Sequence, residues 1–120
     1  VIGNGDMRKM PMSLRREMEA DPYYDRCCVT GQHKKETKID WHHNLIFAGR
    51  QVNEKWCILP LAREVHDRVH EKELKDYVDW LMLNRATEAE IITYSKAVDL
   101  AWRKEQLDKK YAHKKNIPVL

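Results

Sequence analysis

Four of the six histidines in this 120-residue chain fall within residues 37–70. They form an adjacent pair, His42 and His43, and a pair four apart, His66 and His70. On a helix, residues four apart lie one above the other with Cβ atoms about 5–6 Å apart. His66 and His70 can therefore converge on one cation, each ligating nitrogen about 2.0–2.1 Å away were the ion zinc. Adjacent side chains on a strand point to opposite faces, so only one of His42 and His43 can join them unless the chain turns there. The other is left free beside the metal. A neutral imidazole next to a Lewis acid is the equipment for phosphodiester hydrolysis: the ring takes a proton from water, and the cation neutralises phosphate charge and stabilises the leaving oxygen. His33 and His113 have no partner at a useful spacing and read as surface residues.

Three elements must position these rings. Residues 37–42 alternate Thr, Ile, Trp with Lys, Asp, His, the period-two pattern of a half-buried strand. A loop from Asn44 to Glu54, with Gly49 in it, leads to a second strand over Lys55 to Leu59, ended by Pro60. Two strands this close pair most simply as an antiparallel hairpin. From Leu61 the period becomes helical, with Leu61, Val65, Val69, Leu74, Tyr77, Val78 and Leu81 on one stripe. Asn84-Arg85-Ala86 breaks this helix, and Thr87-Glu88-Ala89-Glu90 is a capping box opening a second long helix to about residue 112, with Ile91, Tyr94, Val98, Ala101 and Trp102 inward.

Ahead of the hairpin, residues 1–12, with Gly3, Gly5 and Pro11, read as an irregular arm. Ser13 caps a short helix over 14–20, which Asp21-Pro22 stops. Tyr23-Tyr24 reads as a core anchor, Thr30-Gly31-Gln32 as a turn, and residues 33–38 as a polar connector. The expected fold is a single α+β domain: an arm and short helix (1–36), a strand-loop-strand-helix core (37–84) and a C-terminal helix (87–112).

An apolar content of 42% with four tryptophans suits one globular core, and 34% charged residues suit a soluble chain. No apolar run approaches the ~20 residues of a membrane span. The first residues lack the basic end and apolar block of a secretory leader. Three cysteines, two of them the adjacent Cys27 and Cys28, make a disulfide framework improbable, so a cytoplasmic setting is expected with these as buried free thiols. The net charge of +3 is unevenly spread: residues 1–18, 26–57 and 103–120 are basic, 19–25 and 58–102 acidic. Basic character on the histidine stretch and both ends favours a polyanionic partner. Arg103-Lys104, Lys109-Lys110 and Lys114-Lys115 are candidates for gripping a phosphate backbone, with an ordinary solvated helix end as the alternative.

The pattern His42-His43, then His66-x-x-x-His70, with strand, loop, strand and helix between, resembles the HNH endonucleases of the ββα-metal (His-Me finger) group. It is most similar to the DNase colicins, and Ile58-Leu59-Pro60-Leu61 matches the short run before the helix in phage-type HNH nucleases. The likeness covers about 45 residues, from Cys27 or Cys28 to Glu71. It implies a ββα-metal unit in which His42, His66 and His70 hold one divalent cation (Mg²⁺, Mn²⁺, Ni²⁺ or Zn²⁺) and His43 is the general base that activates water. Asp40 falls where colicins carry an acidic residue near the active site, to orient it or simply as an exposed strand carboxylate. Arg50, in the loop, is a candidate to fork onto a phosphate oxygen, or a solvated loop residue.

Two departures stand out. Cys57 occupies the position of the motif's middle Asn, which ties the loop in place, with Asn53 four residues earlier as a substitute. The zinc-binding Cys-x-x-Cys pairs common in the family are absent. The implied partner is DNA, with RNA as an alternative substrate, in a setting such as phage packaging, restriction, a mobile element, or a toxin blocked by an inhibitor protein. A non-catalytic nucleic-acid-binding module whose metal only holds the ββα unit together is the competing reading from another class.

Overall fold

β4 (Ile58–Ala62) is the element everything else covers: all five residues are buried. Its neighbour β1 (Ile39–His43) pairs with it antiparallel, from Ile39 opposite Ala62 to His43 opposite Ile58. The computed structural model describes residues 10–95, 99–112 and 117–118. Among these the fold is α+β, with five α-helices and two two-stranded antiparallel sheets. Gly3, Gly5, Val98, His113, Lys114 and Lys115 lie outside the described residues. No described helix is long and apolar enough to cross a membrane.

The hairpin forms where the sequence places it, but its second strand is shifted. Lys55–Cys57 is a 3₁₀ turn, and the strand runs through Pro60 instead of stopping there. Pro60 is tolerated because its polar groups face away from β1: its carbonyl accepts the Cys28 amide at 2.9 Å on the far side, so no ladder bond to β1 is lost. Alternation then sends Leu59 and Leu61 into the main core, while Ile58 joins Met18 and Tyr24 in a smaller cluster. That cluster seats α1 (Met12–Glu19), which begins after Pro11 rather than at a Ser13 cap. The Tyr24 hydroxyl reaches the Lys55 and Ile58 carbonyls, both at 2.8 Å, so Tyr24 is the core anchor of the tyrosine pair, while Tyr23 is 36% exposed.

The expected helix from Leu61 is two helices. Leu61 and Ala62 still belong to β4, α2 covers only Arg63–Asp67, and α3 runs from Lys72 to Leu83. Between them the chain turns through short-range bonds, Arg68 amide to Val65 carbonyl and Glu71 amide to Arg68 carbonyl. The apolar stripe survives the break, since Val65, Val69, Leu74 and Val78 are all buried in one cluster. A helix-period pattern shows which residues share a core and leaves open whether one rod carries them.

The second long helix is likewise divided. α4 (Glu88–Thr93) opens on the predicted capping box at Thr87 and Glu90, and α5 (Leu100–Tyr111) starts afresh with Asp99 as its cap. The inward face of α5 is Leu100, Leu107 and Tyr111, whereas Trp102, expected inside, is 59% exposed. α5 lies against α3.

The long loop between the strands holds a hairpin of its own, β2 (Ile46–Phe47) with β3 (Arg50–Gln51). Its two-residue turn places Ala48 at φ 54° and Gly49 at φ 77°. Both central residues are left-handed, as a type I′ turn requires. Glycine adopts this freely, but alanine carries a Cβ clash worth about 1 kcal/mol. Ala48→Asn creates the Asn-Gly pair that suits this turn and is expected to stabilise the protein by about 0.5–1 kcal/mol. An unchanged or lower urea midpoint for this variant contradicts the turn assignment.

Candidate active site

Directly opposed residues of an antiparallel pair share a face. His42 opposes Leu59 and Asp40 opposes Leu61, so both look toward the main core side, where α2 sits; Trp41 and His43 look the other way. The sequence-based expectation that the two adjacent histidines divide between faces is met.

α2 follows β4 directly, and its single turn brings His66 over β1. The His66 and His42 ring centroids are 5.1 Å apart with planes tilted by 59°. Asp40 stands behind His66: its Oδ2 lies 3.0 Å from His66 Nδ1 and 2.9 Å from Arg63 Nε. A carboxylate accepts, so Nδ1 of His66 carries a proton, and in the neutral ring Nε2 holds the lone pair. His42 is half-buried. Burial first, then the neighbouring His66, pushes its pKa down to about 4 against an opposing hydrogen bond from Asn44, so the ring is neutral at pH 7.

Two imidazoles aimed at one tetrahedral ion, with each nitrogen about 2.0–2.1 Å from it, place their ring centres about 5 Å apart. The His42–His66 separation fits that value, and both rings offer a bare nitrogen. His70 does not join them. It lies in the exposed turn beyond α2, off the helix that would stack it over His66, and no hydrogen bond or ring contact links it to the pair. Among the described residues no group of three or more His, Cys, Asp or Glu side chains is placed to hold a metal ion.

On the other face, Asn53 Oδ1 lies 2.8 Å from His43 Nε2. With the amide oxygen turned to the ring, Nε2 donates and Nδ1 is the nitrogen left to accept a proton. Asn53 is thus the loop residue in contact with His43. Cys57 is fully buried, with its thiol pushed far up by that burial, and it supports the site through its carbonyl, which accepts the Asn44 amide at 2.9 Å. Arg50, exposed on β3, lines an open groove of about 460 Å³ together with Asn53, Glu54 and Tyr94. Arg50 and the partner of His43 therefore share one surface.

The structure also brings in residues that spacing did not flag. Asn44 accepts from His42 Nε2 at 3.1 Å and donates to Asp79 Oδ1 at 2.8 Å. Asp79 in turn receives Arg103 of α5 at 3.0 Å, and Lys75. Asn44 was readable as the residue after the histidine pair. Asp79 carried no local signal, because its link to Asn44 spans two elements far apart in sequence. The basic residues of α5 are occupied with nearby acids: Arg103 with Asp76 and Asp79, Lys104 with Asp108 at 2.8 Å, Lys109 with Glu105 at 3.3 Å, and Lys110 with Glu73 and Asp76. Arg103 and Lys110 thus tie α5 to α3, while Lys104 and Lys109 pair within α5.

No family model, curated protein or solved structure matches this chain.

Asp76 sits at the centre of these ties, 6% exposed, with Arg103 at 2.7 Å, Lys110 at 3.0 Å and Lys72 at 3.1 Å. Burial alone would raise its pKa, but the three cations outweigh it and hold the carboxyl far below the usual range. A folded pKa below the unfolded one stabilises the fold above about pH 4, and that contribution fades as pH falls through the acid range. Asp76→Asn is expected to cost about 2 kcal/mol at neutral pH. The gap from wild type should narrow toward about pH 3 in urea unfolding; a gap that stays constant with pH contradicts the assigned ion pairs.

Proposed function

We propose that this protein is a metal-dependent endonuclease of the HNH (ββα-metal) type that hydrolyses phosphodiester bonds in DNA. The observation that carries the reading is the His42–His66 pair, with rings 5.1 Å apart across a strand–helix seam and Asp40 fixing the tautomer of His66. His43 lies on the opposite face of β1, its ring held by Asn53, and is the proposed fourth member of the site. Hairpin, intervening loop and following helix occur in the order that the resemblance implies.

His42 and His66 are the proposed metal-holding residues, and His70 is the proposed third ligand because the resemblance to the HNH nucleases implies it. A divalent cation held there would supply charge neutralisation at the scissile phosphate and at the leaving oxygen. The chain's own work is then threefold. Asp40 keeps Nε2 of His66 bare, Asn53 orients His43 so that Nδ1 takes a proton from the attacking water, and Arg50 holds a phosphate oxygen from the groove edge.

A purely structural metal site has no use for His43. His43→Ala is expected to retain Mn²⁺ or Ni²⁺ affinity while plasmid nicking falls by at least about 100-fold, the scale of a lost general base. Nicking equal to wild type removes His43 from the mechanism, and cleavage of RNA in preference to DNA at matched salt moves the substrate assignment. The ligand set is read by calorimetry with Zn²⁺: His66→Ala is expected to abolish binding. An equal loss in His70→Ala establishes it as the third ligand, and wild-type binding in that variant excludes it.

A further inference from the structure

We propose that Asn44 and Asp79 are positioning residues that lock His42 in the tautomer with its proton on Nε2 and its lone pair on Nδ1. Asn44 is 9% exposed, and its amide is surrounded by groups of fixed hydrogen-bonding sense. On one side Asp79 Oδ1 at 2.8 Å and Met82 Sδ at 3.5 Å can only accept. On the other, Lys75 Nζ at 3.5 Å can only donate. The NH₂ group must therefore face Asp79, and the carbonyl oxygen must face Lys75 and His42. A carbonyl oxygen accepts and never donates, so His42 Nε2, 3.1 Å from it, has to carry the hydrogen. In the neutral ring the remaining nitrogen, Nδ1, is then bare.

The orientation originates outside the histidine stretch. Asp79 also pairs with Lys75 of its own helix and with Arg103 of α5. A chain of fixed donors and acceptors thus runs from Asp79 of α3 through Asn44 to His42. Asp40 sets the neutral His66 ring the opposite way, with the proton on Nδ1 and the lone pair on Nε2. The two facing rings use different nitrogens, and a different partner dictates each. That these bare nitrogens serve a metal rests on the nuclease reading; the tautomer lock does not.

Long-range ¹H–¹⁵N correlation spectra of the imidazoles, recorded on the full metal-free chain at neutral pH, test the inference directly. Wild-type His42 is expected to give the Nε2–H pattern, and the Nδ1–H pattern overturns the proposal without any variant. In Asp79→Asn the partner of Asn44 can donate as well as accept, so the amide is free to turn and His42 is expected to become a tautomer mixture. Arg103→Gln leaves the carboxylate in place and is expected to keep the wild-type His42 pattern even where it lowers the melting temperature, which separates positioning from plain destabilisation. An unaltered His42 pattern in Asp79→Asn, or an altered one in Arg103→Gln with Asp79→Asn unaltered, overturns the role of Asp79. Mn²⁺ affinity is expected to drop at least about tenfold in Asp79→Asn, as for lost support of a ligating histidine; unchanged affinity with a scrambled tautomer overturns the link to the metal. Absence of nicking by a wild-type protein that shows the Nε2–H pattern counts against the nuclease reading alone.

Discussion

The register of β1 on β4 decides which side chains can meet. Side chains alternate between faces along a strand, so a slip of one residue would exchange Asp40 and His42 for Trp41 and His43 on the side where α2 docks. His66 would then face an indole instead of a carboxylate. The register is pinned by what lies behind it. Leu59 and Leu61 fit only the main core, and Ile58 only the cluster with Met18 and Tyr24. A strand buried on both faces has two apolar sets to satisfy at once, and a shift would misplace both. Core packing and site geometry here are a single constraint.

The helices beyond the hairpin extend that constraint. α3 carries Asp76 and Asp79 on the face toward α5, and α5 answers with Arg103 and Lys110. Surface ion pairs contribute little, but these two carboxylates are almost fully covered, and each is met by more than one cation. Their cost of burial is offset by that surplus of charge. One consequence reaches the site, because Asp79 Oδ1 also accepts from the Asn44 amide. The C-terminal helix is thereby tied, through Asp79 and Asn44, to the strand that carries His42.

Local pattern carried much of this. The strand ending in two histidines, the capping box at Thr87 and Glu90 and the division of His42 and His43 between faces were all readable, because each depends on residues a few positions apart. What sequence reading missed was set by contacts at long range. Pro60 looks like a strand end until the Cys28 amide shows that its missing donor faces outward. Leu61 through Leu81 look like one helix, since the core they share is continuous though the backbone is not. That break takes His70 out of helical register with His66, the one element of the expected ligand set that depended on an unbroken rod. Asn53 was a second choice for loop support and is the residue in contact with His43, while the thiol of Cys57 is spent on the core.

Stability alone gives no reason for this arrangement of polar groups. His42 opposes Leu59 on the core-facing side of β1, a place where a leucine or phenylalanine would bury more apolar surface and need no partner. The imidazole there requires Asn44 to accept from it, Asn44 requires Asp79, and Asp79 requires two cations. Removing any one member strands a buried polar group. Replacing the whole chain with apolar residues of similar volume would be neutral or better for folding. The set is satisfied only as a whole and ends in two imidazoles 5.1 Å apart, an arrangement that apolar packing of the same strand would not require.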